Sequence, residues 1–139
     1  MGSVRKTNKP RRSPPARWPV YRHVIFDCDS TLTGIEGIDE LANHPDSQQQ
    51  VADLTRSAMD GKVNLETVYG ERLEILQPTR GAVRALRSRY RKHVVKDAAA
   101  LIQALQVLGH EVYIVSGGLF DPVREFGMHL GVAPEHIRA

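Results

Sequence analysis

The sequence predicts an α/β fold with a Rossmann-like parallel sheet, and three observations lead to this prediction. A short, near-continuous apolar run that starts at His23 ends at Asp27, which indicates a strand buried on both faces that enters an acidic loop. A second apolar run, Glu111–Val115, ends at a Ser-Gly-Gly turn. The stretch between them has apolar residues at helical spacing and no strand pattern. A helical connection of this length is what two parallel strands need.

Composition is that of one globular domain: 139 residues, 41% hydrophobic and 25% charged. No apolar run is long enough to span a bilayer, and no apolar segment follows the basic N-terminus as in a secretory signal. The single cysteine, Cys28, excludes an intramolecular disulfide. A reducing, cytoplasmic setting is therefore expected.

The basic charge belongs to the N-terminal segment. Residues 1–19 carry a net charge of +6 and the remainder −3. Rich in Pro, Arg and Lys and without a hydrophobic period, this segment is predicted to be a disordered basic tail. It lacks the interleaved aromatic residues that stack on bases, so nucleic-acid binding is not expected. A solubilising tail, or a stretch upstream of the true start codon, is the simpler interpretation.

Residues 35–91 are predicted to form a helical insertion after the first strand, with residues 20–34 and 92–139 as the core. In the core, a helix is expected over 98–108, with a buried face of Leu101, Ile102, Leu105 and Leu108 and with Gly109 ending it. Asp121 is a candidate N-cap. A third strand is predicted to begin at His136.

Asp27 and Asp29 are the first candidate site residues. They are one residue apart where the first strand ends, so both carboxylates can converge on the sheet edge at which ligands bind in α/β folds. Two like charges this close need a cation or a shared proton. The pair predicts either a divalent metal site or a nucleophilic carboxylate beside an acid/base one.

Ser116-Gly117-Gly118 is the second candidate element. A strand that enters a small glycine-containing turn before a helix offers backbone N–H groups and a hydroxyl to an oxyanion such as phosphate. Ser-Gly-Gly alone is a common loop. In a parallel sheet, however, it would lie on the same edge as the two aspartates and face them.

These features together resemble the haloacid-dehalogenase (HAD) superfamily, and within it the phosphoserine phosphatase branch. The matching motifs are, in order, Asp27-Cys28-Asp29-Ser30-Thr31-Leu32, Glu36, Met59-Asp60-Gly61-Lys62, Arg72 and Ser116-Gly117-Gly118. The resemblance covers roughly residues 22–139. It implies a HAD core with a helical C1-type cap inserted after the first strand.

The resemblance also implies roles for individual residues. Asp27 would be the nucleophile, forming an aspartyl phosphate, and Asp29 the acid and base. Asp27 and the backbone carbonyl of Asp29 would hold Mg²⁺. The substrate would be a small phosphomonoester, phosphoserine, hydrolysed in L-serine biosynthesis. Its contacts would come from Ser116 and Gly117 at the phosphate, Glu36 and Arg72 at the amino-acid part, and Met59 and Thr31.

Simpler interpretations exist for several of these residues. Thr31 could be only a turn residue, and Met59 a core residue. Glu36 and Arg72, taken alone, would be solvated helix charges. Cys28 is expected to point into the packing beneath the sheet rather than act as a reactive thiol.

The chain departs from the family pattern beyond the second strand. The resemblance calls for a lysine that neutralises the phosphate and for an acidic pair on a later strand, and after Gly118 the only Lys or Arg residues are Arg124 and Arg138. A truncated chain with an incomplete core and little or no activity is therefore expected. Two alternatives stay open: a degenerate module that binds phosphate or a phospholigand without turnover, and a nucleic-acid-associated protein acting through the tail.

Overall fold

Three parallel strands form the sheet in the computed structural model, which describes residues 21–42 and 45–139. The strands are β1 (His23–Phe26), β2 (Glu111–Val115) and β3 (Ile137–Arg138), side by side in that order. Phe26 pairs with Ile114. The α/β class, the parallel sheet and the third strand are confirmed. The predicted tail, residues 1–19, lies outside the described residues.

Helices connect and cover the strands. In chain order they are α1 (Pro45–Met59), α2 (Leu65–Leu76), α3 (Arg80–Lys92), α4 (Ala98–Val107) and α5 (Phe120–His129), with short 3-10 turns at Asp39–Leu41 and Pro134–His136. Gly109 follows α4 with a φ of 89°, as expected of a glycine that ends a helix. The division into a cap over 35–91 and a core on either side of it stays a prediction.

The hydrophobic core lies on one face of the sheet. Val112, Ile114 and Ile137 point into it and are almost completely buried. Helix α5 packs against them at Gly127, where a Cβ would lie 2.8 Å from the Cδ1 atoms of Ile114 and Ile137. Only a glycine lets the helix backbone approach this closely.

Helix α3 belongs to the same packing unit. It makes extensive contact with α5, and its Tyr90 ring lies 5.5 Å from that of Phe126. Both side chains are fully buried. At its other end α3 begins at a capped turn, where Thr79 Oγ1 accepts a hydrogen bond of 3.1 Å from the N–H of Ala82.

Two expectations about burial are wrong. The first strand was expected to be buried on both faces, yet Ile25 is 64% exposed, because helices cover only one face of the sheet in the described part of the chain. In α4, Leu101 and Leu108 are 50% and 74% exposed. This helix contacts β2 along the narrow stripe of Ile102 and Leu105, and their neighbours turn away from it.

One helix start differs from expectation. Helix α5 begins at Phe120 after Leu119, so Asp121 lies inside the first turn and is not the N-cap. Helix α4 begins after Asp97, whose φ of 64° is in the left-handed region. This start at Ala98 is as predicted, although glycine adopts the left-handed conformation of residue 97 more easily than aspartate does.

Candidate active site

The carboxyl ends of β1 and β2 open into a cavity of about 270 Å³. The acidic loop and the Ser-Gly-Gly turn follow adjacent strands and meet there, as predicted. The cavity is lined by Asp27, Asp29, Glu36, Ile38, Tyr69, Arg72, Ser116, Gly117 and Gly118. Six of the eight predicted site residues are thus brought together.

A tight turn presents the first aspartate. The carbonyl of Cys28 accepts hydrogen bonds from the backbone N–H groups of Thr31, Leu32 and Thr33, at 3.2, 2.8 and 3.2 Å. Asp27 Oδ1 accepts a bond of 2.7 Å from the N–H of Cys28. The turn therefore holds one carboxylate oxygen of Asp27, whose side chain is exposed at the cavity.

Asp29 is half-buried in the same loop. Its Oδ2 accepts a bond of 3.2 Å from the N–H of Gly37, whereas its Oδ1 is buried without a hydrogen-bond partner among the described residues. Burial raises the pKa of this carboxyl above its usual value, Tyr90 and the Gly37 N–H lower it, and the charges of Glu36 and Asp27 raise it further. The net increase favours a carboxyl that can carry a proton.

The Ser-Gly-Gly turn forms the opposite wall. Ser116 Oγ accepts a hydrogen bond of 3.0 Å from the N–H of Gly118. A Cβ on Gly117 would meet nothing within 4 Å, so its backbone faces open space. A hydroxyl and an accessible stretch of backbone are suited to oxyanion binding.

Two side chains of opposite charge, Glu36 and Arg72, also line the cavity. Glu36 accepts a hydrogen bond of 2.6 Å from Ser30 Oγ. Arg72, on α2, donates to Thr55 Oγ1 on α1, and its Nε is buried without a partner within the described part of the chain. Its charge also counteracts the burial that raises the pKa of Asp39.

Two predicted site residues do not line this cavity. Thr31 is exposed in the turn. Met59 is the last residue of α1, and its side chain lies outside the described part of the structure. Their substrate contacts stay predictions.

Sequence reasoning missed Tyr69 and Ile38 in the cavity wall and Tyr90 beside Asp29. Tyr69 precedes Arg72 by three residues, and this spacing on a helix could have indicated a shared face. Ile38 and Tyr90 gave no such signal, because each occupies an apolar position of a helical pattern.

Comparison with known proteins identifies the fold family. The sequence model of the haloacid dehalogenase-like hydrolases matches residues 21–137. The chain belongs to this family. The HAD resemblance expected from the motifs is therefore confirmed.

Similar proteins of this family are phosphoserine phosphatases. Those of Bos taurus and Homo sapiens are 33% and 34% identical over 116 residues, which cover 84% of this chain and 52% of theirs. A solved phosphoserine phosphohydrolase-like protein from Francisella tularensis has a TM-score of 0.75 at 26% identity, covering 86% of this chain and 58% of that one. This HAD chain spans about half the length of the curated relatives it matches.

Two kinds of feature are absent from the part of the chain that the structure describes. No group of three or more His, Cys, Asp or Glu side chains in residues 21–42 and 45–139 is arranged to hold a metal ion. Among the same residues, no helix of this HAD chain is both long and apolar enough to cross a membrane.

Proposed function

We propose that this HAD-like hydrolase is a phosphomonoester hydrolase of the phosphoserine phosphatase type, acting in L-serine biosynthesis. One observation carries the proposal: a single cavity combines two carboxylates, a Ser-Gly-Gly turn and two side chains of opposite charge, Glu36 and Arg72. A phosphorylated amino acid would use all three: the carboxylates for the reaction, the turn for the phosphate, and the charged pair for the ammonium and carboxylate groups. The cytoplasmic location inferred from the sequence stays a prediction.

In the first step Asp27 attacks the phosphorus. Oδ1 is held by the N–H of Cys28, so Oδ2 is the oxygen left to attack. The bond from Asp27 Oδ2 to phosphorus forms, the bond from phosphorus to the serine oxygen breaks, and Asp29 gives that oxygen its proton. The raised pKa of Asp29 favours this protonated starting state.

In the second step Asp29, now ionised, takes a proton from water. The water oxygen attacks the phosphorus, the bond to Asp27 breaks, and inorganic phosphate leaves. Both aspartates return to their initial state. Ser116 and the N–H of Gly117 hold the phosphate oxygens while the phosphorus changes partner.

The remaining groups select the substrate. The Arg72 guanidinium, with its unpartnered Nε, is suited to the carboxylate of phosphoserine, and Glu36 to the ammonium group. Met59 and Thr31 stay as the additional contacts expected from the family resemblance.

The residues present fit a Mg²⁺ ion. The Asp27 carboxylate and the backbone carbonyl of Asp29 are hard oxygen donors at the cavity. Mg²⁺ is commonly bound by one or two carboxylates together with substrate phosphate and water. When bound, it would neutralise charge on the phosphate and the carboxylates.

Phosphate release from phosphoserine with Mg²⁺ tests the proposal. The assay uses high protein concentration, so that slow turnover is detected. Asp27→Asn should abolish release, whereas Asp121→Asn, an exposed acid on α5, should not. Activity retained in Asp27→Asn would overturn the nucleophile assignment. Phosphoserine binding without release would instead favour the degenerate binding module.

A further inference from the structure

Tyr90 is fixed in the core, but its hydroxyl is directed towards the acidic loop. The residue lies in the last turn of α3, and its ring is fully buried against Phe126. The hydroxyl reaches the backbone that follows Glu36: a Cβ on Gly37 would lie 2.0 Å from Tyr90 Oη. Any side chain at position 37 would occupy the space that the Tyr90 hydroxyl fills.

A second contact fixes Tyr90 relative to the same loop. Thr33, itself completely buried, donates hydrogen bonds from Oγ1 to the backbone carbonyls of Tyr90 and His93, at 3.4 and 3.2 Å. The N–H of Gly34 adds a bond of 2.8 Å to the carbonyl of His93. The end of α3 is therefore held against the loop that carries Asp29.

One hydrogen bond holds the Asp29 carboxylate in the described structure. Its Oδ2 accepts from the N–H of Gly37. Its Oδ1 and the Tyr90 hydroxyl are both buried without a hydrogen-bond partner within the described residues, and both side chains approach the backbone of Gly37. Consistent with this proximity, the Tyr90 hydroxyl counteracts the effect of burial on the pKa of Asp29.

We propose that Tyr90 is a positioning residue, which holds the Asp29 carboxylate by a hydrogen bond from its hydroxyl to Oδ1. Together with Gly37 it supplies one donor to each carboxylate oxygen, and two such bonds fix the rotation of the carboxylate plane. Because the ring is locked by packing, the hydroxyl is held beside the Asp29 loop before any ligand binds, as preorganised sites require. The catalytic consequence rests on the proposed function; the contact itself does not.

A double-mutant cycle on the full chain tests the contact without turnover. Tyr90→Phe keeps the ring and removes only the hydroxyl, and Asp29→Ala removes the acceptor. We expect Tyr90→Phe to lower the Tm by about 4 °C in the unmodified chain and by less than about 1 °C in the Asp29→Ala background. Equal shifts in the two backgrounds would overturn the proposal, because a purely packing role would be unaffected by Asp29.

Tyr113→Phe is the matched control. Its hydroxyl donates to Glu111 Oε2 at 3.0 Å on the sheet face away from the core. Its Tm shift should be the same with and without Asp29→Ala. Coupling of equal size at Tyr113 would show that Asp29→Ala disturbs the whole fold and would remove the support for a specific contact.

Kinetics separate this proposal from the proposed function. In a chain that hydrolyses phosphoserine, Tyr90→Phe should lower kcat roughly tenfold and leave KM within about twofold, since Asp29 acts on the leaving group. If no phosphomonoester is hydrolysed, the proposed function fails while the cycle still decides the contact. An unchanged kcat in Tyr90→Phe would overturn the positioning role while leaving the phosphatase assignment standing.

Discussion

Gly118 and Asp29 approach each other so closely that a Cβ on Gly118 would lie 3.1 Å from Asp29 Oδ2. The same Cβ would lie 3.2 Å from Ser116 Oγ and 3.0 Å from Val123 Cγ2. The two walls of the cavity thus meet at a residue without a side chain. Any side chain there would push the Asp29 carboxylate away from the Ser-Gly-Gly turn.

Gly118→Ala is therefore expected to impair both stability and activity. The added methyl overpacks the site, which typically costs about 1–3 kcal/mol, and displaces Asp29 or Ser116. Gly117→Ala is the matched control for stability alone, because its Cβ would enter open space. Thermal unfolding and phosphate release are the measurements. Equal Tm values for the two variants would contradict the close packing at Gly118.

Arg72→Ala should change substrate preference. Loss of the guanidinium should lower kcat/KM for phosphoserine by about 100-fold, since the carboxylate of the substrate loses a bidentate partner. A simple aryl phosphate has no carboxylate, and its turnover should fall by less than about threefold. Arg56→Ala, on the exposed side of α1, should affect neither. Similar losses on both substrates would mean that Arg72 acts only through its bond to Thr55.

Asp29 should make the folded protein less stable as the pH rises. Burial raises the pKa of Asp29 above its ordinary value of 3.8. Between the unfolded-state and the folded-state pKa, the folded protein therefore binds more protons than the unfolded chain. The free energy of unfolding falls as the pH rises through this range. In EDTA, Asp29→Asn should therefore raise the Tm at pH 7. The gain should shrink as the pH falls below about 4.

Glu111→Gln gives the opposite sign and serves as the comparison. Hydrogen bonds from Arg22 and Tyr113 lower the pKa of Glu111, so its contribution to stability is present at neutral pH and is lost on acidification. This variant should lower the Tm at pH 7 and match the unmodified chain in acid. Parallel pH profiles for the two variants would contradict both assignments.

Asp97→Gly should stabilise the fold. Asp97 has a φ of 64° and makes no side-chain capping bond, so glycine relieves left-handed strain without removing a contact. An increase of about 0.5 kcal/mol in the free energy of unfolding is expected, measured by urea denaturation. Glu74→Gly, at an exposed position inside α2, should instead cost about 1 kcal/mol. A decrease in Asp97→Gly would show that its carboxylate has a structural role.

Local patterns in the sequence were sufficient to predict the sheet and most of the site. Apolar runs and the glycines that follow the helices mark the elements, and parallel pairing then brings Asp27 and Ser116 to one edge. Whether another element covers a given apolar side chain was less predictable. Ile25 and Leu101 are as apolar as buried residues, and nothing in their spacing shows whether another element covers them.

Tyr90 shows the other limit of sequence reasoning. It lies about sixty residues after Asp29, and its spacing with Leu86 indicates only a buried helix position. The direction of its hydroxyl depends on how α3 packs against α5 and on the space left by Gly37. No local pattern carries that information.

The reactivity of the Cys28 thiol can report on opening of the loop that follows β1. It is the single cysteine of the sequence, lies between the two site aspartates and is completely buried. Burial raises the pKa of its thiol, and the charges of Asp29 and Asp27 raise it further, so the reactive thiolate is scarce in the folded state. A thiol reagent can label it only when the end of β1 opens, and the labelling rate therefore measures how often the loop that follows β1 separates from the core.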